Sequence, residues 1–230
     1  MACGDYVKCP TCDGIMIYGN PVCPHCKAKL GLFTPKFDPA LPTGGSAAKL
    51  DRSQTLVVNL FAGPGTGKST NCAGIFYDLK SLGINCEMAT EYAKDLVWEK
   101  RDFTFENQIY LFGKQHHRIF RLLGQVDVVI TDCPMLLTPV YDGGKRPTFD
   151  QLVFEEHNKL WNYNIFLKRK KIFNPLGRRH DEEHSRLIDG QVLDVLDKHN
   201  QSYETFEASP EGKIAIVKKI LLLLENKPSK

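Results

Sequence analysis

TLVVNLFAGPGTGKST, Thr55 to Thr70, joins two unlike halves. The first is an uncharged run of β-branched and large apolar residues, the composition of a strand buried on both faces. The second alternates glycines at Gly63, Gly65 and Gly67 and then gives Lys68 and Ser69. Glycine lets the backbone curl until successive N–H groups point at one centre, and a helix opening directly behind adds the positive end of its dipole. Strand, curl and helix together make a cradle for phosphate. From Gly67 onward the stretch meets the pattern G-x-x-x-x-G-K-[ST], with Ala62 in place of the first Gly. Gly63, Pro64, Gly65, Thr66, Gly67, Lys68, Ser69 and Thr70 are therefore expected to hold a nucleotide. In that arrangement Lys68 reaches the β and γ phosphates and the Ser69 hydroxyl ligates Mg²⁺.

Downstream, short β-rich runs alternate with helical stretches. A helix to about Ser81 stops at Gly83, INCEMAT gives a second strand, and two helical stretches fill Tyr92 to Leu123. VDVVITD is the third strand, and a helix from about Phe149 to Trp161 leads to NYNIFLK, the fourth. A helix from about Glu183 to His199, the strand SYETFE and a last helix from Pro210 to Glu225 complete the pattern. Such alternation predicts an α/β fold whose five parallel strands are covered by helices on both faces. In sheets of this kind the chemistry sits at the carboxyl ends of the strands.

Asp132 ends the third strand, where a carboxylate can hold Mg²⁺ or act on an acceptor hydroxyl; the alternative is a polar residue capping a turn before Pro134. Glu91 follows the second strand, where it can accept a proton or bind a ribose diol, or merely favour the dipole of the next helix. KRKKIFNPLGRRHDEEHSR, Lys168 to Arg186, mixes basic residues with Asn174, Pro175 and Gly177. This composition suits a flap over bound phosphates, with Arg178, Arg179 and Arg186 as the residues that spread the charge of a transferring phosphoryl group. The other reading is a solvated charged loop. His116 and His117 have no metal-ligand spacing, and Tyr92, Trp98, Phe103, Phe105 and Tyr110 form an aromatic cluster that either packs as core or sandwiches a base.

Four of the eight cysteines stand as KCPTC (Cys9, Cys12) and VCPHC (Cys23, Cys26), ten residues apart. Each C-x-x-C turns two thiolates toward one centre, and four thiolates make the closed tetrahedral shell of structural Zn²⁺. The alternatives are two disulfides or a redox pair. Residues 1–31 are thus expected to form a zinc ribbon, residues 32–50, rich in Pro, Gly and Ser, a linker, and residues 51–230 the phosphate-loop domain with a lid near 169–186. A net charge of +3 does not by itself signal nucleic-acid binding. Ile214 to Leu224, among the longest apolar runs, is broken by Lys218 and Lys219 and falls short of the roughly 20 residues a bilayer requires. With no apolar leader at the N-terminus, the expected compartment is the cytoplasm, the host's if the chain is viral.

The order GPGTGKST, TEYAK, FENQ, ITDCP, then FLKR with GRRHDEEHSR further on, resembles the ribosylnicotinamide kinase domain of bifunctional NAD-biosynthesis regulators. It also resembles small phosphate-loop ATPases and kinases, many from tailed bacteriophages, that share an E-Y-A-[RK] signature. The resemblance covers about Leu56 to Glu225 and implies the nucleoside and nucleotide kinase fold, ATP and Mg²⁺ as cofactors, Glu91 and Asp132 facing the acceptor and metal, and lid arginines at 178, 179 and 186. The activity expected is transfer of phosphate from Mg-ATP to a hydroxyl of a small nucleoside-like acceptor. The alternatives are a kinase brought to DNA or RNA by the zinc ribbon, and an ATPase switch that docks a protein partner through it.

Overall fold

A computed structural model of the protein describes residues 51–170 and 182–227 together with the backbone of Tyr6–Lys8 and Ile15–Ile17. The two short strands β1 (Tyr6–Lys8) and β2 (Ile15–Ile17) pair antiparallel, Tyr6 opposite Ile17. Cys9, Cys12, Cys23 and Cys26, and the linker at 32–50, lie outside the described residues.

The main sheet holds β3 (Leu56–Phe61), β4 (Cys86–Ala89), β5 (Val128–Thr131), β6 (Trp161–Lys168) and β7 (Glu204–Glu207), all parallel, in the order β4-β5-β3-β6-β7. The helices are α1 (Lys68–Ser81), α2 (Tyr92–Trp98), α3 (Gln108–Phe120), α4 (Thr138–Asp142), α5 (Pro147–Asn158), α6 (Glu182–Lys198) and α7 (Pro210–Glu225). Every residue of β3 is buried, because successive side chains feed two separate cores. Leu56, Val58 and Leu60 pack with Ile75 and Leu79 of α1 and Ile216 and Ile220 of α7. Val57 and Phe61 pack on the other face with Ile119 of α3, Val153 of α5 and Ile188 and Val192 of α6.

Local signals set several boundaries. Gly83 takes φ +77 just past α1, and α7 starts at Pro210 behind Ser209, whose hydroxyl accepts from the Gly212 N–H at 3.1 Å. Between Pro134 and Gly143 no regular structure is expected from the sequence, yet a 3-10 turn (Met135–Leu137) and α4 fill it. Among the described residues no helix is long and apolar enough to cross a membrane.

Two polar intrusions into the second core behave differently. The Asn59 amide nitrogen donates to Asn162 Oδ1 (2.9 Å) and Asn164 Oδ1 (3.0 Å) across the β3–β6 pair. His157 on α5 is 1% exposed, and neither ring nitrogen has a hydrogen-bond partner among the described residues. Burial disfavours the imidazolium and lowers its pKa to about 4. Because the folded chain then binds fewer protons than the unfolded one below the ordinary histidine value of about 6.5, His157 costs stability as pH falls from that value toward 4, by up to about 3 kcal/mol. Urea unfolding at pH 7.5 and pH 5 should show this loss, and His157→Leu should flatten it.

Candidate functional site

The turn after β3 folds back on itself. The Thr66 hydroxyl donates to Gly63 O at 3.1 Å, and the Asn71 amide to Gly67 O at 3.0 Å. Gly65 (φ +83) and Gly67 (φ +107) occupy the left-handed region that side-chain-bearing residues avoid, and Gly67 then serves as the N-cap of α1. The strand-turn-helix sequence required of a phosphate cradle is therefore present at Gly63 to Thr70. Lys68, at the first position of α1, returns along the loop and donates from Nζ to Ala62 O (2.7 Å) and Gly63 O (3.0 Å).

β4, β5 and β3 are parallel neighbours, with Ala89, Thr131 and Asn59 in register, so the segments leaving them emerge at one edge. That edge brings Asp132 and Glu91 to Lys68. Asp132 is 4% exposed, and its Oδ1 accepts from the Glu91 N–H at 3.0 Å. Glu91 is the N-cap residue of α2, but its side chain makes no capping hydrogen bond. Burial pulls the Lys68 ammonium below its ordinary range, opposed by Glu91, the Cys133 thiol, Asp132 and Asp189. A lysine is thus held in a nest of carboxylates, where its charge state responds to each of them.

Second-layer contacts fix the acidic pair. Thr131 Oγ1 donates to Ala89 O (2.8 Å) and accepts from the Cys133 N–H (3.1 Å), tying β5 to β4. Gln115 of α3 accepts from the Tyr92 N–H at 3.0 Å, directly after Glu91. Arg118 donates to Thr90 O (2.9 Å) and Thr90 Oγ1 (3.1 Å), pairs with Asp95, and stands over the Tyr92 ring. The TEYAK stretch is therefore held by α3 on both sides of Glu91.

The structure also adds residues that the sequence did not offer. Tyr141 of α4 is 41% exposed, yet desolvation around its hydroxyl, followed by Glu91, Cys133 and Asp189, keeps that hydroxyl above the ordinary phenol range. Burial pushes the Cys133 thiol well up, so it is an inert neighbour of Asp132 rather than a nucleophile. Arg169 and, on α6, Ser185 and Asp189 contact the phosphate loop directly. No motif announces them: Arg169 sits inside a basic run, and Ser185 and Asp189 sit on an ordinary helix.

Other expected residues are placed elsewhere or not described. Arg186 lies in α6, exposed, and pairs with Glu182 one turn earlier at 2.7 Å. Arg178 and Arg179 lie outside the described residues. Of the stretch 169–186, the described ends are a buried Arg169 side chain and the first turns of α6. The aromatic cluster is not simply core, since Trp98 is 69% and Phe103 82% exposed.

With the central strand, the loop behind it and two carboxylates on adjacent strands in view, solved structures supply a match. The fold is similar to that of a NadR protein. That structure, of NadR protein in complex with NR, aligns at a TM-score of 0.58 and 15% identity, over 78% of this chain and 54% of that one. The chain therefore spans about half the length of the NadR chain. A thymidylate kinase from Ehrlichia chaffeensis aligns at a TM-score of 0.48 and 14% identity, over 74% of this chain and 98% of that one. No protein-family model and no curated protein matches the sequence. The α/β fold with five parallel strands expected from the sequence is the fold observed, and it is similar to that of the NadR protein.

The residues present fit ATP and Mg²⁺. Two glycines of the loop lie in the left-handed region, and the hydroxyl of Ser69 and carboxylate of Asp132 are hard oxygen donors of the kind that would hold Mg²⁺ alongside substrate phosphates. Among the described residues no group of three or more His, Cys, Asp or Glu could hold a metal by itself.

Proposed function

We propose that the chain transfers phosphate from Mg-ATP to a hydroxyl of a small nucleoside-like acceptor, a nucleoside, nucleotide or nicotinamide riboside. The observation that carries this reading is the meeting of Lys68, Asp132 and Glu91 at one edge of three adjacent parallel strands. Backbone N–H groups from Gly65 to Thr70 cradle the phosphates, and Lys68 leaves its two loop carbonyls for the β and γ oxygens. Ser69 and Asp132 would hold Mg²⁺, which when bound would supply charge neutralisation at the phosphates. Glu91 accepts the proton of the acceptor hydroxyl as its oxygen bonds to the γ phosphorus; the bond to the bridging oxygen breaks and ADP departs with the electron pair. Arg178, Arg179 and Arg186 remain the proposed lid arginines, and Cys9, Cys12, Cys23 and Cys26 the proposed zinc ligands.

The test is ADP release by the full chain with Mg-ATP against nucleosides, nucleoside monophosphates, nicotinamide riboside and single- and double-stranded DNA, with zinc measured in the same preparation. The expected result is stimulation by one small acceptor, which becomes phosphorylated, and one zinc per chain. Stimulation by DNA alone would replace this reading with a polymer kinase, a second reading favoured by the exposed Trp98 and Phe103, which are suited to stacking on bases. Release indifferent to every acceptor would leave an ATPase switch.

A further inference from the structure

Arg169 follows β6 directly, inside KRKK, where sequence suggests a solvated charge. Its side chain is instead only 6% exposed and reaches three groups. One guanidinium nitrogen donates to Pro64 O at 3.1 Å; the other donates to Ser185 Oγ at 2.6 Å and Asp189 Oδ2 at 3.0 Å. Asp189 turns its other oxygen, Oδ1, to the Gly63 N–H, and the Ser185 hydroxyl donates to Pro64 O. Gly63 approaches α6 so closely that a Cβ there would lie 2.2 Å from the backbone carbonyl oxygen of Ser185.

Two consecutive loop residues, Gly63 and Pro64, are therefore tied to one helix by bonds to both the N–H and the carbonyl side of the chain. The Gly63 N–H is taken by Asp189, so the amides left for a nucleotide are those further along the turn. A carboxylate beside a phosphate site is a liability, because like charges repel strongly where water is scarce. Arg169 removes it by pairing with Asp189, and the same guanidinium braces Pro64.

We propose that Arg169, Ser185 and Asp189 are positioning residues for the donor nucleotide: they hold the first half of the phosphate loop so that the amides of the second half stay aimed at the phosphates. This rests on the reading of the loop as an ATP site. None of the three needs to touch the nucleotide. Their effect is on the geometry of the groups that do, where a displacement of about 1 Å is enough to matter.

Equilibrium binding of a fluorescent ATP analogue with Mg²⁺ and no acceptor tests the clamp apart from any transfer activity. Asp189→Ala is expected to weaken binding about tenfold, the scale of one charge-assisted hydrogen bond. Asp189→Asn, which keeps a carbonyl oxygen for the Gly63 N–H, should recover most of that loss. Ser185→Ala orphans no charge and should weaken binding about threefold, a net hydrogen bond's worth, so the test survives should Asp189→Ala fail to fold. Ile188→Val, a core change on the same helix, should leave binding unaltered although it lowers stability. Parent-like binding by the Ser185 and Asp189 variants, with binding lost in Lys68→Ala, would overturn the clamp alone. So would equal losses in Ile188→Val and Asp189→Ala. A parent chain that binds no nucleotide would overturn the ATP-site reading and the clamp with it.

Discussion

Lys68→Ala is expected to lower kcat for ADP release in the presence of the acceptor by about 10³-fold, a loss of about 4 kcal/mol of transition-state stabilisation on the proposed reading of the loop as an ATP site. The argument begins with where Lys68 sits. Its ammonium is the cation to which Asp132, Glu91 and Asp189 all contribute, and its hydrogen bonds in this structure are to two carbonyls of the loop it would serve. On the proposed reading, Lys68 would exchange those two carbonyls for phosphate oxygens. Without it, charge gathering on the transferring group would face Asp132 and Glu91 with no nearby lysine to offset them. Folding should change much less. The desolvation cost of burying the ammonium disappears together with its attraction to the acids, so opposing terms largely cancel and the melting temperature should move by a few degrees. Lys68→Arg should not restore the rate, because a planar guanidinium cannot occupy the point position between Ala62 O and Gly63 O. Transfer by Lys68→Ala within tenfold of the parent would remove the loop from the chemistry.

The parts of this site that could be read from sequence are those in which backbone chemistry constrains residue type. Gly65 and Gly67 lie at positive φ, and Lys68 and Ser69 follow at fixed spacing because a helix must open there. The strands were equally legible: β3 is apolar on both faces because both faces are covered, and the turn from β3 into α1 leaves little freedom in the local topology. Asp132 could be placed because the strand ends directly before it. The residues that were not legible act through contacts distant in sequence. Arg169 meets Pro64 across 105 positions and Asp189 meets Gly63 across 126, separations over which periodicity carries no signal. Gln115 and Arg118 likewise stabilise the Glu91 turn from a helix whose exposed and buried positions look ordinary. A basic run reads as solvated on average, and Arg169 departs from that average because acceptors from two other segments converge on it.

Gly63→Ala is expected to destabilise the fold by about 2–4 kcal/mol and, on the proposed reading, to weaken nucleotide binding as well, although alanine is an ordinary residue for that backbone. The added methyl would meet Ser185 O at 2.2 Å, Asp189 Oδ1 at 3.0 Å and Ser185 Oγ at 3.1 Å. The nearest of these is a helix carbonyl, which cannot rotate away as a side chain would, so α6 and the loop must separate. Separation stretches the Gly63–Asp189 bond and the Ser185 and Arg169 bonds to Pro64 together, which converts a local clash into loss of the whole clamp. Asp189→Ala in the same chain should give no rescue, since the blocking atom belongs to Ser185's backbone. Gly190→Ala makes the contrasting control one residue beyond Asp189: it lies within α6 with nothing among the described residues packed inside 4 Å of the new methyl, and should stabilise by about 0.5–1 kcal/mol through helix propensity alone. Urea midpoints of the two variants should therefore move in opposite directions, and only Gly63→Ala should bind the fluorescent nucleotide more weakly. Equal midpoints would mean that α6 does not rest on the loop as the Gly63 contacts require.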